Sequence, residues 1–295
     1  MSKKFYYGGQ AVIEGVMMRG QKTLVTVVRR PGGDLATNTQ PLAPIYTGWM
    51  RQTPLIRGIF VLIEALVLGI KTLLYSAKVS LEEEEEEISG KQAGIMVAIS
   101  LAVAVVLFFL APLFLTKLFN IESPVAFNLI EGVIRVAIFI LFLKLISLTS
   151  DIKRVFAYHG AEHKAINAYE DGAPLEVEAV RKYPTAHLRC GTSFLFAVLI
   201  IAIIVFALIG LPSLWLMALS RIILIPVIAG IAYEVNHFAG RHTKSRLVRA
   251  ILAPGLWLQS LTAREPDDSQ LEVALAALRQ VIEADQSKEA AQVSS

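Results

Sequence analysis

Two histidines and a carboxylate fall within five residues in Tyr158-His159-Gly160-Ala161-Glu162-His163-Lys164. On a helix His159 and His163, four apart, and Glu162, three on from His159, project from one face. The pattern H-x-x-E-H is the inverted zincin motif, in which two helical histidines hold Zn²⁺ and the glutamate acts on water. The plain alternative is a helix with two titratable surface histidines. The chain has only five histidines, at 159, 163, 187, 237 and 242.

A catalytic zinc site takes three ligands from the protein and leaves a position open. Two later stretches can supply the third. His187-Leu188-Arg189-Cys190 has ligand-type spacing, and Glu234-Val235-Asn236-His237 sets a carboxylate and an imidazole three apart. Glu234 follows His163 by 71 residues, similar to the gap before the glutamate ligand of soluble inverted zincins. The residues therefore predict His159 and His163 as ligands, Glu234 or His187 as the third, and Glu162 as general base. Cys190 and His237 are further candidates. Cys190 as a nucleophile with His187 as its base lacks an orienting partner at a recognisable spacing.

The elements that must hold these groups are largely apolar. Of 295 residues 55% are hydrophobic and 18% charged, and the mean hydropathy is +0.57, which describes an integral membrane protein rather than a soluble domain. The net charge of +3 sits in loops, so it fits a membrane surface and does not indicate nucleic-acid binding. One cysteine excludes an intrachain disulfide and fits a reducing compartment. No charged n-region followed by an apolar h-region opens the sequence, so no cleaved signal peptide is expected.

Residues 1–50 read as a small β module. Thr23 to Val28 is β-branched, Pro31-Gly32-Gly33-Asp34 is a turn, and Leu35 to Thr39 can return as a partner strand. The glycine-punctuated stretch from Gly8 to Gly20 reads as strands with glycine-flanked bulges, or as backbone that approaches a ligand. Residues 51–92 hold an apolar helix over 54–78 and an acidic linker, Glu82 to Glu87. Arg57, Glu64, Lys71 and Lys78 recur every seven residues on that helix, which favours a position along the membrane interface over a span with Glu64 at mid-bilayer.

Four stretches are long enough to cross the hydrocarbon core. They are 93–115 and 125–148, which form one hairpin (93–148), and 192–211 and 214–233, which form a second (192–233). The loop 149–191 carries the H-x-x-E-H motif. Residues 234–264 form a basic interfacial segment in which Pro254-Gly255 breaks a short apolar stretch anchored by Trp257. Residues 265–295 form a tail with an amphipathic helix, Leu271, Leu275, Leu278 and Ile282 on its apolar face, in need of a docking surface. Lys and Arg are concentrated in 149–191 and after Tyr233, against Lys117 alone on the opposite side. Both termini and all the histidines are thereby placed in the cytoplasm. Within the spans, Glu131 and Arg135 are spaced for an intrahelical ion pair, Arg221 stands in the fourth span, and Lys144 can snorkel from a helix end.

The segments Gly8-Gly9-Gln10-Ala11-Val12-Ile13-Glu14-Gly15-Val16-Met17-Met18-Arg19, Ile56-Arg57-Gly58, the H-x-x-E-H stretch, Arg189-Cys190-Gly191-Thr192-Ser193-Phe194 and Tyr233-Glu234 together resemble the YqhQ-like family of bacterial multi-pass membrane proteins. The resemblance covers residues 5 to 285. It implies a metal-dependent enzyme of the cell membrane with no assigned reaction, and it adds Glu14 and Arg19 as candidate site residues. The chain departs from the family pattern in two places. Leu188 stands where a proline is expected between the histidine and the arginine, and Asn236-His237 stands where leucine or arginine is usual, which argues against His237 as a family-wide ligand.

The expectation is a mainly α polytopic membrane helical bundle of about four spans plus interfacial helices, with a small N-terminal β module. Its site would lie at the cytoplasmic surface of the cell membrane. The expected activity is zinc-dependent hydrolysis of a peptide or lipid there, with membrane lipid as a neighbour and a partner protein reached through the β module or the C-terminal helix. A non-catalytic scaffold or assembly factor is the alternative, and a small transporter using Glu131, Arg135 and Arg221 is a weaker one.

Overall fold

A computed structural model describes residues 5–46, 48–49, 53–81, 90–210, 213–242 and 245–293. The acidic run Glu82 to Glu87 and the turn residue Pro212 lie outside the described residues.

Four strands form an antiparallel meander in the order β1 (Gly8–Val12), β2 (Gly15–Arg19), β3 (Thr23–Arg29) and β4 (Leu35–Pro41). The expected hairpin is β3–β4, in register from Thr23 opposite Pro41 to Arg29 opposite Leu35. The glycine-punctuated stretch supplies β1 and β2. Alternation along the strands gives the sheet two apolar faces. Val12, Met17, Leu24 and Val28 pack against Leu68, Tyr75 and Val79 of α1 (Ile56–Leu81). Val16, Met18, Val25 and Val27 belong to a core shared with Tyr158, Ala161 and Ala165, and with Leu271, Leu275 and Leu278.

The chain then runs through α2 (Gly90–Val105), a π-helical turn (Val106–Leu110), α3 (Ala111–Lys117), α4 (Pro124–Ile146), α5 (Ser150–Asp171), the short α6 (Val177–Val180), α7 (Gly191–Ile209), α8 (Leu214–Ile223), α9 (Ile225–Arg241), α10 (Arg246–Gln259) and α11 (Asp268–Val293). Helix α11 is the amphipathic tail, and the surface it needs is the sheet at the other end of the chain. Asp285 seals the contact by accepting from the backbone N–H groups of Gln21 (2.6 Å) and Lys22 (3.1 Å) and from the Thr23 hydroxyl (2.7 Å). The sheet, α5, α6 and α11 thus form one head. The apolar stripe offered above to a partner is covered within the chain itself.

Among the described residues, three helices are long and apolar enough to cross a membrane: Ile56–Ser80, Gly90–Lys117 and Gly191–Ile209. The pair α8–α9, bent by 48°, makes a fourth if taken as one span. This set differs from the expected one in two ways. The helix after residue 55 qualifies, and its Glu64 is buried against the sheet in an ion pair with Arg19 (3.0 Å) instead of facing lipid. Helix α4, expected to span over 125–148, falls outside the set. It carries Glu131 and Arg135 buried at its middle and Lys144 in its last turn, and charged residues are costly within a span. A further correction concerns Pro254-Gly255, which does not break the last apolar stretch: α10 runs through Pro254, and Trp257 on it is exposed.

Candidate metal centre

Helix α5 carries the motif. It starts after Thr149 and ends where Gly172 turns left-handed at φ 76°, its amide hydrogen-bonded back to Ala168 and Tyr169. His163 and Glu162 are buried, and the His159 and His163 rings lie 4.3 Å apart. As expected, the i, i+4 spacing places both imidazoles on one face.

The third group is a cysteine. His159, His163 and Cys190 each offer one ligand atom, and these atoms lie within 4.8 Å of one another. His159 Nε2 is 3.2 Å from Cys190 Sγ. Each imidazole is held through its other nitrogen: Nδ1 of His159 meets the Thr262 carbonyl at 2.8 Å, and Nδ1 of His163 meets the Thr185 carbonyl at 2.5 Å. A carbonyl can only accept, so both Nδ1 atoms carry the proton in the neutral rings, and the Nε2 lone pairs are left to face the cysteine. A hydrogen bond from the other ring nitrogen in this way is what orients the histidines of metal sites.

Several elements converge to build the centre. Cys190 precedes the first turn of α7, and its Sγ accepts from the Thr192 amide (3.4 Å). The segment before it is pinned on both sides. Gln259, on α10, accepts from the His187 amide (2.8 Å) and donates to the His187 carbonyl (3.0 Å), while Asn167 on α5 donates to the carbonyls of Pro184 and Ala186. Gly160, at the centre of the motif, allows the segment after α10 to lie against α5. A Cβ there would collide with the Arg264 carbonyl and come within 3.3 Å of Thr185, the two neighbourhoods that bind His159 and His163. Gly9 plays a similar part on the sheet side, where a Cβ would fall 2.8 Å from Cγ of Glu162 and 2.6 Å from the Met17 carbonyl. The backbone approach foreseen for the glycine-rich stretch is therefore to the Glu162 side chain.

Electrostatically the His159–Cys190 contact is an imidazolium–thiolate pair. Burial opposes the charged thiolate, but hydrogen bonds and positive charge from His159 and His163 outweigh it and bring the Cys190 thiol down to about 4. Burial likewise disfavours a charged His159, and the bond to Cys190, the Cys190 and Glu162 charges and the Thr262 carbonyl raise it to about 9. The positions suit a soft or borderline divalent cation, since two nitrogens and a thiolate are a common zinc donor set.

The remaining candidates lie as follows. Glu162 Oε2 is 3.5 Å from His163 Nε2, beside the ligand atoms. The ring of His187 is 5.5 Å from that of His163, but its Nε2 is turned toward Glu170 (3.7 Å), and burial pushes its pKa down. Glu234 is not in the group of converging ligand atoms. It is bound by Arg57 and by the Leu55 amide (3.0 Å), fastening α9 to α1. His237 stacks on Tyr233. Glu14 takes both prongs of Arg154 (2.5 and 2.6 Å) and the Tyr158 hydroxyl (3.2 Å), and Arg19 is held by Glu64. These two residues tie the sheet to α5 and α1. Gln259, Thr262 and Asn167 were not singled out in the sequence, because an amide or hydroxyl that positions a ligand through backbone carbonyls has no spacing signature.

The fold and site together define a class: a mainly helical chain with apolar helices compatible with a membrane, a sheet-backed head, and a His₂Cys cluster where the head meets an apolar helix. The chain belongs to the family described as protein of unknown function DUF1385, whose model matches residues 53–284. It is 37% identical over 298 residues to "Uncharacterized protein YqhQ" of Bacillus subtilis (strain 168), covering 94% of this chain and 92% of that protein. No solved structure matches it significantly.

Proposed function

We propose that this protein is a metal-dependent hydrolase of the cytoplasmic membrane surface, with zinc held by His159, His163 and Cys190. The observation that carries this reading is the convergence of two imidazole nitrogens and one cysteine sulfur, each histidine being fixed through Nδ1 to a backbone carbonyl. Zinc bound there would supply Lewis acidity toward a carbonyl or phosphoryl oxygen and make water more acidic. With three protein ligands, a fourth position is left for the reaction.

Glu162, beside His163, is placed to take a proton from the attacking water and return it to the leaving group. The water oxygen forms the new bond to the carbonyl or phosphoryl centre as the bond to the leaving group breaks. Cys190 stands at the start of α7, an apolar helix able to cross a membrane, so the substrate would be a peptide or lipid at the bilayer surface. The topology proposed from loop charge puts this face in the cytoplasm.

Elemental analysis of the purified chain tests this reading. One zinc per chain is expected, lost in His163→Ala and Cys190→Ser and kept in His242→Ala, whose exposed ring meets the Phe238 carbonyl and is not in the group of converging ligand atoms. Equal loss from all three would mark adventitious binding.

One observation favours a second reading. Without metal, Cys190 Sγ, His159 Nε2 and the Thr262 carbonyl form a nucleophile–base–orienter series. Stoichiometric acylation of Cys190 by an activated ester in zinc-free protein would support that alternative.

A further inference from the structure

A second cluster of charge lies away from the head. Arg135 on α4 and Arg221 on α8 are fully buried, and both bind Glu131. Arg135 gives Nε to the Phe108 carbonyl (3.0 Å) and Nη2 to Glu131. Arg221 gives Nε (3.2 Å) and Nη2 (2.5 Å) to Glu131, Nη2 to Asn128 (3.0 Å) and Nη1 to Ser220 (3.2 Å).

Two positive charges thus share one carboxylate. Each guanidinium has five N–H groups, and the bonds above leave about four of the combined set without an acceptor among the described residues. The ring of Phe206 lies 5.2 Å from Arg135 and 4.3 Å from Arg221. A ring face attracts a cation but brings no negative charge.

Two breaks in backbone regularity meet at this place. The Phe108 carbonyl that Arg135 uses belongs to the π-helical turn Val106–Leu110, and Arg221 stands just before the 48° bend between α8 and α9. π-Helical turns and discontinuous helices in apolar bundles recur at ligand sites. A charge excess buried among apolar helices calls for a counter-ion.

We infer that Arg135 and Arg221 form a binding site for an oxyanion, whose charge completes their neutralisation and whose oxygens take the remaining N–H groups. Planar guanidinium forks match phosphate and carboxylate oxygens. An anionic lipid headgroup and a soluble phosphate share this chemistry. The site is separate from the metal centre and does not depend on it.

Thermal unfolding of the delipidated full chain in neutral detergent tests the inference. Inorganic phosphate is titrated against chloride at matched ionic strength, and phosphatidylglycerol against phosphatidylcholine. A saturable rise in Tm is expected with phosphate or phosphatidylglycerol and not with the controls. A response confined to phosphatidylglycerol assigns a headgroup, and a response to phosphate assigns a soluble anion.

Arg135→Lys keeps the charge but loses the fork, and should raise the half-saturating concentration about tenfold or more. If that variant does not fold, Glu131→Gln, which removes the internal competitor, should lower the half-saturating concentration. The inference is overturned if neither oxyanion shifts wild-type Tm, or if half-saturation is unchanged in the folded variant.

Discussion

The Nε2 atom of His159 faces the Sγ of Cys190 at 3.2 Å, across the joint between the sheet-backed head and the first turn of an apolar helix. Since each residue belongs to a different element, the centre can form only when α5, α7 and the segment after α10 are docked together. Under the proposed function, metal content would therefore report on assembly as well as on chemistry.

Glu162→Gln separates a base from a ligand. The substitution keeps size and removes basicity, so zinc should stay bound while turnover of a cleavable substrate falls by roughly 10²- to 10⁴-fold. Loss of zinc as complete as in His163→Ala would make Glu162 a ligand and end the proposed mechanism.

The zinc-free centre should show a one-sided pH dependence. Cys190, lowered from 9.0 to about 4, contributes stability that is present above the unfolded value and lost as pH falls toward 4. His159, raised from 6.5 to about 9, contributes stability that is fully present below 6.5 and lost as pH rises through 9. Between pH 6.5 and 9 the gain from one offsets the loss from the other, and below 6.5 only the cysteine contribution still changes. The difference in Tm between wild type and Cys190→Ala should thus be level from pH 6.5 to 9 and shrink from 6.5 toward 4. A difference that grows on acidification would contradict the ion-pair description.

Asp285→Ala should loosen the head from its far end. The carboxylate receives three hydrogen bonds at the β2–β3 turn, and its removal leaves those donors unpaired. A loss of roughly 2–4 kcal/mol is expected, measured by denaturant unfolding in detergent. A change below about 0.5 kcal/mol would show that the turn holds without it.

Reporter fusions test the orientation proposed from loop charge. A fusion at Asn120, between α3 and α4, should report the outer side and one at Ala173, after α5, the cytoplasm. Two cytoplasmic signals would exclude a hairpin over 93–148.

Local rules carried much of this structure. The β-branched run and the turn at Pro31 to Asp34 gave the β3–β4 hairpin, and the spacing of His159, Glu162 and His163 placed them on one helical face. What spacing could not supply was the third ligand atom. Cys190 meets His159 through the docking of α7 and α10, a tertiary event, and the lone cysteine stood only among the further candidates. Glu234 followed a gap familiar from soluble folds, yet Arg57 on another helix holds it. The destination of the tail was hidden for the same reason: an apolar stripe shows that a helix must be covered, not what covers it.

The docking of α11 on the sheet also sets an order of events during synthesis. Lys22 and Asp285 are 263 residues apart, so at about 5–20 residues per second the first strands wait roughly 15–50 s for the helix that covers them. Throughout that interval the apolar helices are being made, and the face carrying the sheet's Val16, Val25 and Val27 lacks the α11 part of its cover, α5 arriving midway. A ribosome stalled before α11 would thus leave a chain with its bundle complete and its head open.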